Sequence, residues 1–277
     1  MEISEEQFTT QVMKHLFESR GVDLSGYSQS FMMRSIRKRI GRSGRSDYAT
    51  YLHHLLNSDD ETDALLGALS INVTEFFRDR GAFETLSRKV IKPLLESKTG
   101  SGGLFRLWSA GCATGQEVYT IAICVAQELK RLEREHRILI SILGTDISAS
   151  ALAKAKSGIY TKNEMRGMPD KFISEYFDYM GDEYVVGHRL RKGVRFAREN
   201  LLDKPGSKFF DVIICRNVMI YFSRAMHDKV TTNLYEALKT GGYLMIGRTE
   251  TLMGPPRAGF EVVDLENRIL RKKNPGV

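Results

Sequence analysis

Through residue 80 apolar side chains recur every three to four places; from about residue 100 they gather into short runs separated by amphipathic stretches. The change of period marks a helical part followed by alternating strand and helix. Ser4-Glu5-Glu6-Gln7 is a capping box; Phe8, Val12, Leu16 and Phe17 follow at helical spacing, and Gly21 closes this first helix. A second helix is expected over 28–40, with Phe31, Ile36 and Ile40 facing inward and Arg34, Lys38 and Arg42 on another face. Ser46 caps a third, whose apolar stripe is Tyr48, Leu52, Leu55 and Leu56, and a fourth starts near Asp60. There is no internal repeat and no low-complexity tract.

Beyond residue 100, strands are expected at 104–109, 138–143, 194–198, 209–215 and 242–247, and helices near 116–132, 148–156 and 224–239. A last pair at 260–264 and 267–271 has no helix between its members and reads as an antiparallel hairpin closing the sheet. This order predicts an α/β, doubly wound (Rossmann-like) domain over 101–277, preceded by a small all-α domain at 1–80 and a linker at 81–100. Between 179 and 198, Gly181, Gly187 and Gly193 punctuate short β-rich pieces, which suggests a small β-insertion.

The chain's 277 residues suit one large or two modest domains. Its longest apolar runs are short strands, so no membrane insertion is expected. The first six residues are acidic and lack an apolar signal core. Cys112, Cys124 and Cys215 are scattered, with neither a disulfide framework nor a zinc spacing, which points to a reduced, cytoplasmic protein with no metal. The net charge of +7 is concentrated. Arg34, Arg37, Lys38, Arg39, Arg42 and Arg45 form one cluster without an acid; Arg189, Arg191, Lys192, Arg195 and Arg198 form a second. Local patches of this kind suggest an acidic macromolecular partner.

The chemistry is concentrated in 108–117, which reads WSAGCATGQE. It joins an expected strand to a helix carrying Val118, Ile121, Ala122, Val125 and Leu129 on one face, the ligand-binding corner of an open α/β sheet. Gly111 and Gly115 are expected to let the backbone approach a ligand. The next strand ends in Gly144-Thr145-Asp146, and an acid at that tip is where such folds hold ribose hydroxyls. The glycine spacing is G-x-x-x-G rather than G-x-G-x-x-G, and Glu117 stands in the first helical turn. A carboxylate there repels a diphosphate and suits a cation. S-adenosylmethionine fits, with a ribose, an ammonium, a sulfonium and no phosphate. Alternatively, Glu117 only complements the helix dipole.

Four further segments sharpen this reading: NVTEFFR at 72–78, GTDISASALAKAKSGIY at 144–160, Asn200-Leu201-Leu202, and CRNVMIYF at 215–222. Together with WSAGCATGQE they closely resemble the chemotaxis receptor methyltransferases, the CheR-type protein-glutamate O-methyltransferases, over nearly the whole chain. The resemblance implies roles position by position. Asn72, Thr74 and Arg78 would close over the cofactor, with Arg78 near its methionine carboxylate. Glu117 would sit by the methionyl part and Asp146 would take the ribose diol. Asn200 and Leu201 would border the adenine, Arg216 and Asn217 would line the floor near the sulfonium, and Tyr221 would face the acceptor. The basic face of Arg34, Lys38 and Arg42 would dock on the cytoplasmic helical bundle of a chemoreceptor. The product would be S-adenosylhomocysteine and the enzyme a monomer, independent of a receptor tether because the insertion is short.

Two departures stand out. Gln116, Glu117 and Val118 replace the two acids and proline common after the glycine loop, and Gly247-Arg248-Thr249-Glu250 replaces glycine-histidine-serine-glutamate. The second leaves the role of Arg248 open. A nucleic-acid methyltransferase would also account for the basic patches, but Cys215-Arg216-Asn217 is not its Asp/Asn-Pro-Pro-aromatic motif, and no nucleic-acid partner is expected. A non-catalytic cofactor-binding regulator is the other alternative.

Overall fold

Ser4 and Gln7 each accept the other's backbone amide on their side chains, at 3.2 and 3.3 Å, and start α1 (Glu5–Arg20). The computed structural model describes residues 3–20, 24, 27, 29–45, 47–69, 74–98, 103–133 and 138–274. They form two compact units: 1–72 with 221–226, and 73–220 with 227–277. In the first, α2 (Gln29–Ser43), α3 (Tyr48–Leu56) and α4 (Asp59–Leu69) follow α1. The expected Gly21 stop and Ser46 cap lie outside the described residues. Asp47 caps α3, its carboxylate accepting the Thr50 amide at 2.9 Å. Phe8, Val12, Leu16, Phe31, Ile36, Tyr51, Leu52, Leu55 and Leu65 are buried. Phe17 and Leu56, expected to join them, are exposed. Each stands one residue past a buried leucine, about 100° around its helix.

One ionic cluster lies inside these helices. Glu61 is 4% exposed and accepts Arg39 Nε at 2.8 Å, Arg39 Nη2 at 2.5 Å and the Tyr51 hydroxyl at 2.8 Å. Burial pushes its carboxyl up, but the bonds from Arg39 and Tyr51 outweigh that and hold it below the usual range.

In the second unit, α5 (Arg80–Leu86) runs through a π-helical turn at Ser87–Ile91 into α6 (Lys92–Ser97). The stretch expected as a linker is thus helical, and Phe83, Leu86, Val90, Ile91 and Leu95 lie in this unit's core. Then come β1 (Gly103–Ala110), α7 (Gln116–Arg131), β2 (Ile138–Asp146), α8 (Ala149–Ser157), β3 (Ile159–Thr161), α9 (Asp170–Tyr176), β4 (Phe177–Met180), β5 (Glu183–Val186), α10 (His188–Arg191) and β6 (Val194–Arg198). The chain continues through β7 (Phe210–Cys215), α11 (Arg224–Ala237), β8 (Leu238–Ile246), β9 (Phe260–Asp264) and β10 (Ile269–Lys272).

The main sheet has the order β6-β2-β1-β7-β8-β10-β9. The first five strands are parallel and β10 runs antiparallel to both its neighbours, which is the expected closing hairpin. All six residues of β7 are buried, as a central strand covered on both faces must be. The small β-insertion is the antiparallel sheet β3-β5-β4, which spans 159–186 rather than the expected 179–198. β6 pairs with β2 and belongs to the main sheet. Strand order reverses between β1 and β7, so their carboxyl ends open the crevice where such sheets bind ligands.

The helical unit depends on its buried pair. Arg39→Ala leaves the Glu61 carboxylate buried without its cation, and should destabilise the fold by about 3 kcal/mol. Urea unfolding followed by circular dichroism reads this directly. Arg42→Ala, on the exposed face of the same helix, should cost less than about 0.5 kcal/mol.

Candidate functional site

The turn after β1 is fastened to the end of β2. Gly111 and Cys112 donate their amides to the Thr145 carbonyl at 2.8 and 2.9 Å, and the Trp108 indole donates to the Thr145 hydroxyl at 2.8 Å. Ala113 (φ 47°) donates its amide to Asp146 Oδ2 at 2.8 Å, while Oδ1 accepts the Ser148 amide at 2.9 Å. The two glycines answer to protein packing. A Cβ on Gly111 would lie 2.5 Å from Val218 Cγ2, and one on Gly115 would lie 2.8 Å from Ala155 Cβ. Both have positive φ, 80° and 93°. Packing against the loop after β7 and against α8 thus already requires glycine at both positions.

Glu117, one residue into α7, accepts the Ser109 hydroxyl at 2.8 Å, and its other oxygen lies 3.7 Å from Arg216 Nη1. The Arg216 side chain is 1% exposed. It pairs with Asp79, donates to the Arg78 carbonyl at 3.1 Å and lies 5.2 Å over the Phe83 ring. Among the described residues its Nε has no acceptor. So deeply held a cation acts directly on Glu117 and Asp79. The segment it grips is strained, with φ of 53° at Phe77 and 58° at Asp79. The Phe77 amide donates to Thr120 Oγ1 at 3.1 Å, and Phe76 meets Tyr160 and Phe177 edge-on.

Burial pushes the Glu117 carboxyl up, against the Arg216 charge and the Ser109 hydrogen bond. Asp146 is likewise raised by burial, against the amides of Ser148, Ala113 and Ile147. Both acids press on Cys112, whose thiol burial already drives well above its ordinary value, so it stays protonated.

Asn217, also left-handed (φ 59°), begins the loop after β7. Glu250, 3% exposed, holds that loop. Its Oε2 accepts the amides of Gly247 (2.5 Å) and Asn217 (3.0 Å); its Oε1 accepts those of Val218 (3.0 Å), Met219 (2.8 Å) and Ile220 (3.3 Å). Reading the sequence picked out Arg248 and passed over Glu250, because nothing in a single acid shows how many amides converge on it. Arg248 is half-exposed and reaches Glu266 at 3.4 Å. Asn233 was also missed; its amide nitrogen donates to the carbonyls of Leu201 and Asp203, both at 2.8 Å, and fixes the Asn200-Leu201 turn.

Of the other expected positions, Asn72 lies outside the described residues, and Thr74 is half-buried ahead of α5. Tyr221 is half-buried in the first unit with its ring 4.5 Å from Phe31. Arg34, Lys38 and Arg42 are exposed on α2 and make no ion pair among the described residues, while Arg37 and Arg39 pair with Glu5 and Glu61. No group of metal-binding side chains is present among the described residues, and no described helix is long and apolar enough to cross a membrane.

The Glu250 clamp is directly testable. Glu250→Gln keeps the shape but offers one acceptor oxygen and turns an NH₂ toward the converging amides. Stability should fall by roughly 3 kcal/mol, read by urea denaturation. The exposed Arg248→Ala should leave it within about 0.5 kcal/mol.

Comparison with known proteins agrees with this geometry. Residues 72–269 match the family described as CheR methyltransferase, SAM binding domain, and residues 10–70 match its all-alpha domain. A chemotaxis protein methyltransferase of Listeria monocytogenes is 31% identical over 88% of this chain and 90% of its own. One from Borreliella burgdorferi is 32% identical over 88% of each. An uncharacterized 104.1 kDa protein of Rhodobacter capsulatus is 31% identical over 96% of this chain, which spans only 27% of that longer protein. With the family matched across both of its domains, the chain belongs to the CheR methyltransferases.

Proposed function

We propose that this protein methylates glutamate side chains of chemoreceptors, using S-adenosylmethionine and leaving glutamate methyl esters and S-adenosylhomocysteine. The observation that carries the cofactor reading is the pair of buried acids at the corner, Glu117 and Asp146. Asp146 Oδ2 accepts the Ala113 amide and Oδ1 the Ser148 amide, and the carboxylate keeps accepting capacity for a hydroxyl pair such as a ribose diol. Glu117 offers a carboxylate to an ammonium or sulfonium and would repel a phosphate. The receptor as substrate rests on the names of the relatives.

S-adenosylmethionine supplies an activated methyl group on a sulfonium. Asp146 would hold the ribose, Asn200 and Leu201 would border the adenine, and Asn72, Thr74 and Arg78 would cover the amino-acid end. Asn217 would line the floor. Arg216 would set the position and charge of Glu117 from behind. The acceptor needs no base, because a glutamate carboxyl ionises near ~4.3 and is already a nucleophile at neutral pH. The protein's contribution is then alignment and exclusion of water, and proximity alone can supply roughly 7–11 kcal/mol. Tyr221 would face the acceptor. Arg34, Lys38 and Arg42 would dock on the acidic methylation helices of a cytoplasmic receptor bundle, with the enzyme acting as a monomer in the cytoplasm. The nucleic-acid alternative gains nothing from this corner, where two carboxylates stand.

The reading is tested by transfer of labelled methyl groups into a chemoreceptor fraction, followed by mild alkali. Carboxyl esters release methanol; label that stays bound marks methylated nitrogen and overturns the proposal. Reversing Arg34 and Lys38 should raise the receptor KM and flatten its salt dependence, because exposed charges are screened beyond ~8–10 Å. Cofactor affinity should be unchanged in that variant.

Cofactor binding should depend on pH with a definite sign. Because Glu117 and Asp146 titrate above the ordinary carboxyl range before binding, a cationic ligand that needs them ionised must expel their protons at low pH. Affinity for S-adenosylmethionine should fall as pH drops through those raised values and level off above them. Asp146→Asn should weaken binding by about 1.5–3 kcal/mol and flatten that profile. Calorimetry between pH 4.5 and 8 on wild type and mutant measures both; a flat wild-type profile places the cofactor's charges elsewhere.

A further inference from the structure

Asp79 occupies the N-cap position of α5, where an aspartate ordinarily accepts an amide of the first helical turn. Here its side chain makes no cap bond, and its backbone is left-handed, not in the extended range usual for a cap. The carboxylate is turned onto Arg216 instead, where it accepts Nη2. Two local costs, a lost cap and a strained backbone, are thus borne at one residue. What they place is a negative charge.

Arg216 stands between two acids and does not treat them alike. It donates through Nη2 to Asp79 and through Nη1 to the Arg78 carbonyl at 3.1 Å. Glu117 Oε2 lies 3.7 Å from Nη1, beyond hydrogen-bond reach, and the hydrogen bond to Glu117 comes from the Ser109 hydroxyl on its other oxygen. Two carboxylates against one guanidinium leave this group with one net negative charge. That surplus depends on Asp79. Without it the charge of Arg216, which a guanidinium cannot shed, would fall to Glu117 alone, and the pair would be neutral.

The surplus bears on which form of a cofactor the corner holds. S-adenosylmethionine carries a sulfonium; S-adenosylhomocysteine is the same molecule with a neutral sulfur. Adenine, ribose and amino-acid end are common to both, so a methyl and one positive charge are all that separates them. A net charge in a buried site acts on that difference, because solvent screens it little. Resting on the cofactor reading given above, we propose that Asp79 is a positioning residue that holds the Arg216 charge off Glu117 and so tilts the corner toward the sulfonium form. Its loss would leave the enzyme more easily stopped by its own product.

The test is calorimetric titration of both forms at pH 8 into the full chain and into Asp79→Asn, which removes the charge and keeps a residue tolerant of a left-handed backbone. The readout is the ratio of the two affinities. In Asp79→Asn it should shift at least fivefold toward S-adenosylhomocysteine. A merely structural loosening would weaken both forms alike and leave the ratio where it was. Asp79→Asn combined with Arg216→Gln takes away one charge of each sign, and should bring the ratio back to within twofold of wild type even where both affinities fall. If Asp79→Asn does not fold, Asp79→Gly, also suited to a positive φ, replaces it; if the double variant does not fold, the single one decides. A smaller shift in the single variant, or one that persists in the double, overturns the role of Asp79 while leaving the cofactor reading intact. A wild type that binds neither form overturns the cofactor reading itself.

Discussion

A guanidinium does not lose its proton, so the charge of Arg216, at 1% exposure, must be answered by its surroundings. Asp79, Glu117 and the carbonyl of Arg78 answer it, and in doing so they draw three distant stretches of chain to one point. The desolvation cost of such a group is several kcal/mol, which only good geometry offsets. That requirement helps to explain why Asp79 tolerates a left-handed backbone and why Glu117 keeps its charge partner despite its burial. The carboxyl ends of β1 and β7 and the start of α7 are thereby fixed before any ligand arrives.

Much of this was legible in the sequence wherever a local rule and the tertiary structure agree. The capping box at Ser4, the apolar face of α7 and the closing hairpin each follow from short-range spacing, and each formed. Phe17 and Leu56 were misplaced because a stripe of helical period cannot say which of two adjacent apolar residues lies at its edge. The stretch at 81–100 looked like a linker for want of turn and cap signals, yet its apolar residues are core, held together by contacts from distant segments. The insertion was set too late in the chain because its first strand, β3, has only three residues.

At the site, residue type was readable and partnership was not. Glu117, Asp146 and Arg216 stand out in the sequence as charges beside glycine and strand ends. That Arg216 turns inward, and that Glu250 gathers five amides, depends on where β7 and β8 leave the sheet. The contrast is physical. Glu250 is spent on backbone donors, whereas Asp146 and Glu117 retain accepting capacity, so a buried acid's unused lone pairs separate a structural role from a binding one.

The helical unit has one further property. Its described residues are completed by 221–226, where Tyr221 packs on Phe31 and Phe222 meets Tyr27 edge-on and through a backbone bridge. On the ribosome the amino-terminal helices therefore emerge long before the piece that finishes their surface. At ordinary synthesis rates the delay is on the order of 10–30 s. Until then Tyr27 lacks its edge-on contact with Phe222 and Phe31 its contact with Tyr221, so these helices are completed only after most of the second unit has been made.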